Sequence, residues 1–296
     1  MPQPPVVLVV GSLHHDIMIE TDRLPRRDET AVGHRWYAKF GGKGGNQAVA
    51  AQLSGVRSRM FGAVGRDGFG TFLLEALDKA GVDRHFVRQI EGVGSGMSVA
   101  IQDSAGDYAA TIVSGANLRL DARALEDHRL WQDVAVLVLQ NEIPAEINLT
   151  AARAAGARGV AVVLNAAPAR AVAPDLAEAV DVLVVNAVEA EMFGAQPVLD
   201  LTSALAAARY LSASFASVVV TAGAEGLAMR TRQGDETTVA ARKVTVASTH
   251  GAGDCFTGTL AAALALGQSL PDAGRTASEA AAEHVAGRHR PTDPPR

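Results

Sequence analysis

A single cysteine, Cys255, stands in the 296 residues, which rules out an internal disulfide and a cysteine-built zinc site. Aromatic residues are scarce as well. They make up 4% of a chain that is 48% hydrophobic, so the core must be built from Ala, Val and Leu. Basic clusters are missing: the formal net charge is -5, with both signs scattered, and no nucleic-acid partner is expected. The apolar run Val6–Val10 falls far short of the roughly 20 residues that a bilayer span needs. It follows no basic leader and does not read as a signal peptide, so no membrane partner and a cytoplasmic setting are expected. Phosphate and metal fingerprints are also lacking. Lys43 is followed by Gly44 rather than Ser or Thr, Gly11-Ser12-Leu13 replaces a dinucleotide turn, and no H-E-x-x-H occurs. His14 and His15 are adjacent, so on a strand they would face opposite ways and make poor joint ligands. Cys255 falls in an apolar helix and reads as packing.

What is present is an alternation. Short all-apolar runs recur at Val6–Val10, Val134–Leu139, Val160–Leu164, Val182–Val185 and Val218–Val220. Runs without polar alternation mark strands buried on both faces of a parallel sheet. Helix-like stretches lie between them, at Asn46–Leu53, Thr71–Ala80, Ala145–Ala155, Glu189–Phe193 and Leu201–Leu211. The pattern predicts an α/β fold, with an open, mostly parallel sheet covered by helices. Two segments break the rhythm, about 17–40 and 96–113, the second with a turn at Ser104–Asp107. Both read as antiparallel strands of a small β-sheet lid on one domain spanning 1–296. The Arg- and Pro-rich tail, Arg288 to Arg296, reads as loose.

In such a sheet, ligands bind beyond the carboxyl ends of the strands. Those ends carry Gly11-Ser12 and then Asp16, Gln140-Asn141-Glu142, Asn165, Asn186 with Glu189, and Thr221-Ala222-Gly223. Turns and caps alone would account for any one of them. Acids and amides recurring where turns need neither point instead to a shared polar rim. Gly41-Gly42-Lys43-Gly44-Gly45-Asn46 offers close backbone approach, a cation and an amide before a helix beginning near Asn46. Val244 and Val246 alternate with polar residues as a strand would. They lead into Ser248-Thr249-His250-Gly251-Ala252-Gly253-Asp254 and an Ala-rich helix. A glycine turn opening a helix presents bare N–H groups and a positive dipole end to an anion. Asp254 beside such a site makes sense if the anion is transferred and the carboxylate manages a proton.

These motifs resemble the ribokinase-like, or phosphofructokinase-B type, carbohydrate kinases over nearly the whole chain. The resemblance rests on Gly11-Ser12-x-x-x-Asp16, Gly41 to Ala48, Val64 to Gly70, Glu142, Asn165 to Ala169, Asn186-x-x-Glu189, Thr221-x-Gly223-x-x-Gly226 and Gly251-Ala252-Gly253-Asp254. It implies a three-layer α/β fold with a central sheet of about nine strands and a β-sheet lid that serves as a homodimer surface. It implies transfer of the ATP γ-phosphoryl group to a sugar hydroxyl, with D-ribose going to ribose 5-phosphate as the first expectation. Another pentose, a ketose or a nucleoside is the alternative; a non-catalytic sugar- or nucleotide-binding regulator is the rival of another class.

By the same resemblance, Asp254 is the general base, a role typically worth roughly 10²–10⁴-fold. The N–H groups of Gly251, Ala252 and Gly253 hold the transferred charge. His14, Asp16, Gly42, Lys43, Asn46 and Glu142 fall at the sugar. Asn186, Thr221, Gly223 and Gly226 border the nucleotide, and Asn186 and Glu189 position Mg²⁺ through water. Three departures stand out. His14 replaces the Asn usual two residues before the sugar-binding Asp. Ser248 replaces the usual Asp of a potassium site, and Gly287-Arg288-His289-Arg290 replaces its Gly-Ala closure. Potassium activation is therefore expected to be reduced or absent.

Overall fold

The structure, a computed structural model, describes residues 3–105 and 107–288. Gly106 of the Ser104–Asp107 turn and the tail beyond Arg288 lie outside the described residues. The chain runs β1 (Val6–Val10), β2 (His14–Thr21), β3 (Gly33–Gly41), α1 (Lys43–Leu53), β4 (Arg57–Gly65), α2 (Gly68–Ala80) and β5 (Asp83–Ile90). Next come β6 (Met97–Asp103), β7 (Tyr108–Val113) and short 3-10 turns between 115 and 131. Strands and helices then alternate through β8 (Val134–Gln140), α3 (Ala145–Gly156), β9 (Ala161–Asn165), α4 (Pro174–Ala179), β10 (Val182–Asn186), α5 (Ala187–Met192), α6 (Leu201–Leu211) and β11 (Ser217–Thr221). β12 (Gly226–Arg230), β13 (Glu236–Ala240), α7 (Ala252–Ala265) and α8 (Leu270–Val285) complete it.

Among the described residues, nine strands form one sheet in the order β13-β12-β11-β10-β9-β8-β1-β4-β5. From β11 to β5 every pairing is parallel, and β12 and β13 add antiparallel at the β11 edge. Alternation sends successive side chains to opposite faces. Leu8, Val10, Leu137 and Leu139 join one buried core with α3 to α6; Val7, Val9, Val136 and Val138 join the other with α1, α2, α7 and α8. Each such fully buried side chain is worth about 1.5–3 kcal/mol, which is how a chain poor in aromatics holds two cores. This is the expected α/β architecture. The helix ends are marked chemically: Asp67 caps α2 by accepting from Gly70 N–H at 2.7 Å, and left-handed Gly81, at φ 77°, stops it.

The two polar segments form a separate four-stranded sheet, β3-β2-β6-β7. Its two outer pairings are antiparallel, but β2 and β6 run parallel, because the chain crosses the large sheet between them. Two further expectations are corrected. Helix α1 begins at Lys43, not Asn46, so the glycine loop supplies its first turn. Val244 and Val246 form no strand: the β11–β12–β13 meander already fills that sheet edge, and Val246 is 62% exposed. Instead the segment leans on α8, with Ala247 N–H and Ser248 N–H donating to Val285 O at 2.8 and 3.2 Å.

Candidate active site

The register that builds the core also builds the rim. Gln140 pairs with Asn165, and Asn186 with Thr221. By alternation these residues share the phase of Val138, Val163, Val184 and Val219, so they face the side that carries α1 and α7. There a cavity of about 190 Å³ is lined by Lys43, Asn165, Asn186, Glu189, Thr221, Gly251, Gly253 and Asp254, with apolar walls from Val184, Val185 and Phe256. Residues far apart in sequence thus meet in one place.

Asp254 lies in the first turn of α7 and is 8% exposed. Gln47 Nε2 donates to its Oδ1 at 2.9 Å and Asn46 Nδ2 to its Oδ2 at 3.4 Å. Helix α1 can reach this close because Gly258 carries no side chain; a Cβ there would lie 2.4 Å from Gln47 O. Burial pushes the Asp254 carboxyl up to about 6, against the pull of Lys43 and the two amide donors and with a push from Glu142. Lys43 answers in kind. Burial pulls its ammonium down, but Asp254, Glu142 and Glu189 outweigh that and hold it above its ordinary value. Asn165 Nδ2 donates to Thr257 Oγ1 at 3.1 Å, and that hydroxyl donates to Gly253 O at 2.9 Å, which fixes the glycine turn from below.

The turn itself has the geometry of an anion cradle. Gly251 is left-handed, at φ 78° and ψ 1°, and no side chain caps the helix. Ala252 N–H is turned away to Thr249 O at 3.2 Å, and Gly251 and Gly253, rather than Ala252, line the cavity. Also lining the cavity, Asn186 and Glu189 form a capping box: Glu189 N–H donates to Asn186 Oδ1 at 2.8 Å and Asn186 N–H to Glu189 Oε2 at 2.9 Å. Burial raises the Glu189 carboxyl despite the Asn186 N–H and Lys43. No group of three or more His, Cys, Asp or Glu among the described residues could cage a metal. Thr221 borders the cavity and Gly223, at φ 56°, has open space beside it. Gly226 instead serves packing, since a Cβ there would lie 2.0 Å from Val239 O.

A second cluster adjoins the cavity through Lys43. Glu142 Oε2 accepts from Ser12 Oγ at 2.5 Å and from Lys43 N–H at 2.9 Å, and lies 3.8 Å from His14 Nδ1. Asp16 accepts from Ser98 Oγ at 2.6 Å and sits directly over Gly41, where a Cβ would lie 2.0 Å from Oδ2. Burial raises the Asp16 carboxyl, with Glu142 adding to it and Ser98, His14 and Lys39 opposing. Left-handed Gly42, at φ 86°, presses on Ser12 to His14. The neighbouring histidine faces elsewhere: His15 stacks on Phe69 at 4.1 Å. Several partners carried no signal of their own in the sequence. Ser98 holds the Asp16 carboxylate, and buried Asn117 clamps both backbone groups of Leu13, at 3.0 and 2.9 Å. Gln47 lies inside the Gly41–Ala48 motif beside Asn46, and that adjacency is its one signal in the sequence. Cys255 is buried in α7 with its thiol pushed up to about 11 by burial, as packing requires.

A buried carboxylate between a cluster of polar groups and an uncapped helix N-terminus suits transfer of a phosphoryl group to a hydroxyl, the chemistry of the sugar-kinase class of phosphotransferases. The chain belongs to the pfkB family of carbohydrate kinases, whose family profile matches residues 5–292. It is 34% identical to a ribokinase of Mus musculus over 263 residues, covering 88% of this chain and 81% of that one. A deoxyribokinase of Salmonella typhi is 32% identical over 261 residues, covering 86% and 84%. The fold of this chain matches the structure of Arabidopsis thaliana ribokinase complexed with ribose and ATP, with a TM-score of 0.87, 30% identity and coverage of 96% of this chain and 93% of that one. Among the described residues no helix is long and apolar enough to cross a membrane.

Proposed function

We propose that the chain is an ATP-dependent ribose kinase, working as one domain in which the four-stranded sheet is the lid. The single observation that carries this reading is the placement of Asp254. It touches the α1 amides beside the Glu142–Asp16 cluster and the glycine turn of α7 at once. Asp16, Glu142, His14, Gly42 and Asn46 hold sugar hydroxyls. The γ-phosphoryl group of ATP enters the cavity against Gly251 and Gly253, with Asn186, Thr221 and Gly223 along the nucleotide. As the sugar oxygen bonds to phosphorus and the bond to the ADP oxygen breaks, the hydroxyl proton passes to Asp254. Lys43 and the turn N–H groups stabilise the charge on the transferred group.

Glu189, with one oxygen in the capping box and the other uncommitted to it, suits a Mg²⁺ ion that keeps most of its waters and binds phosphate. Such an ion, when bound, neutralises charge on the phosphates. A potassium ion fits worse. Ser248 offers a neutral hydroxyl that already accepts from His250 N–H at 3.3 Å, and the His250 carbonyl accepts from His284. KCl is expected to raise the rate no more than matched NaCl; a steep KCl-specific rise would overturn that. Exposed Trp36, Ile112 and Val113 on the four-stranded sheet support a homodimer through it, and a cytoplasmic setting accords with the lone reduced cysteine.

The test is an ADP-release screen over ribose, deoxyribose, other pentoses, ketoses and nucleosides. Ribose is expected to lead. Asp254→Asn is expected to lose roughly 10²–10⁴-fold in kcat while still binding sugar. Near-normal kcat in that variant would sink the base assignment. Release of ADP with a nucleoside alone would move the substrate to the alternative, and no release with any acceptor would favour a binding regulator.

A further inference from the structure

We infer that His284, on α8, is a positioning residue that aims the Gly251 N–H into the cavity. The catalytic consequence rests on the reading of the glycine turn given above; the clamp itself does not. Residues 241–250 belong to no helix or strand, yet they must deliver the N-terminus of α7 accurately. Gly251 has no side chain to cap the helix and sits at φ 78°, where backbone torsions alone do not lock it. The support comes from the last turn of α8. Val285 O accepts from Ala247 and Ser248, and His284 Nε2 stands 2.9 Å from His250 O. A carbonyl only accepts, so Nε2 carries the proton. The imidazole also abuts Gly251 itself, because a Cβ there would lie 3.4 Å from Nε2.

His250 C=O and Gly251 N–H belong to one peptide group. That group is planar and trans, so its oxygen and its hydrogen point in opposite directions. Holding the oxygen on α8 therefore fixes the hydrogen on the other side, where Gly251 lines the cavity. Accepting a hydrogen bond at the carbonyl also polarises the peptide and makes its N–H a better donor. One side chain outside the cavity thus sets both the direction and the strength of a donor inside it.

Three variants of the full chain test this. Gln places an amide nitrogen about as far from Cβ as His Nε2, whereas Asn is one bond too short. His284→Ala is expected to lose roughly 3- to 10-fold in kcat, the loss of about one hydrogen bond, with the sugar KM unchanged. Its amides at 249–254 are expected to exchange hydrogen faster. His284→Gln should restore both readouts and His284→Asn neither. Wild-type kcat in His284→Ala, a sugar KM that rises as kcat falls, or equal behaviour of Gln and Asn would overturn the inference. If the wild-type chain phosphorylates no sugar, the functional reading has failed on its own. The exchange data then still decide the clamp: faster exchange in Ala restored by Gln supports it, and unchanged exchange overturns it.

Discussion

The two glycine loops that flank Asp254 are surrounded in opposite ways. Around the first, neighbouring atoms occupy the places where side chains would go. A Cβ on Gly44 would lie 2.6 Å from Ser12 N and one on Gly45 would lie 2.7 Å from Phe40 Cζ. Around the second, Gly253 has nothing within 4 Å, and Gly251 meets only the His284 ring at 3.4 Å. The first loop is glycine because the protein itself fills the space. The second is glycine beside space the protein leaves open, which is what a ligand approaching the backbone needs. One sequence signal, a run of glycines before a helix, thus covers two physical reasons, and substitutions separate them.

Gly44→Ala should show the largest effect. Its methyl would press on the backbone of Gly11 and Ser12, which cannot swing away as a side chain can. The expected cost is roughly 3 kcal/mol or more in urea unfolding, at the upper end of overpacking. A loss below about 1 kcal/mol would show that the loop is looser than its contacts indicate. Gly253→Ala is the counterpart. Ala favours a helix over Gly by up to about 1 kcal/mol, so stability should hold or rise slightly. Its methyl would point into open space beside the cavity, and kcat is expected to fall on the order of 10-fold, about 1.4 kcal/mol. If Gly253→Ala keeps full turnover, the space beside it is not where the phosphoryl group sits.

The contrast also marks what the sequence made legible. The core strands could be read because Val6–Val10 and its relatives are apolar on both faces, and a parallel sheet demands that. The rim followed, since the acids and amides sit where those runs stop. The start of α1 was hidden because glycine is a poor helix former by propensity, and close packing on Ser12 and Leu13 overrode it. Val244 and Val246 misled because two alternating residues cannot distinguish a strand from an extended linker. Ser98 and Asn117 had no spacing to betray them: each is a lone polar residue whose partner is distant in sequence and meets it only once the chain has folded. His284 was invisible for the same reason.

A pH-dependent effect concerns Asp254, where the two loops meet. Its carboxyl titrates at about 6 in the folded protein, above an ordinary value of 3.8. Between those values the folded state keeps a proton that the unfolded chain has released, so stability falls as pH rises through the window. Well above pH 6 the full cost is present, about 3 kcal/mol with the pull of Lys43 and the amides already included. Asp254→Asn carries no charge to desolvate, but it gives up one of two accepted hydrogen bonds, worth about 1 kcal/mol. The variant should therefore be more stable than wild type by about 2 kcal/mol at pH 7.5, and that advantage should vanish by about pH 4. Urea unfolding of the pair at both pH values checks this, because other carboxylates cancel in the difference. In the same enzyme kcat/KM should fall about tenfold per pH unit below 6, as the base is protonated. An advantage that does not change with pH would mean that water already solvates Asp254 in the open cavity. The second loop would then differ from the first in exposure as well as in space.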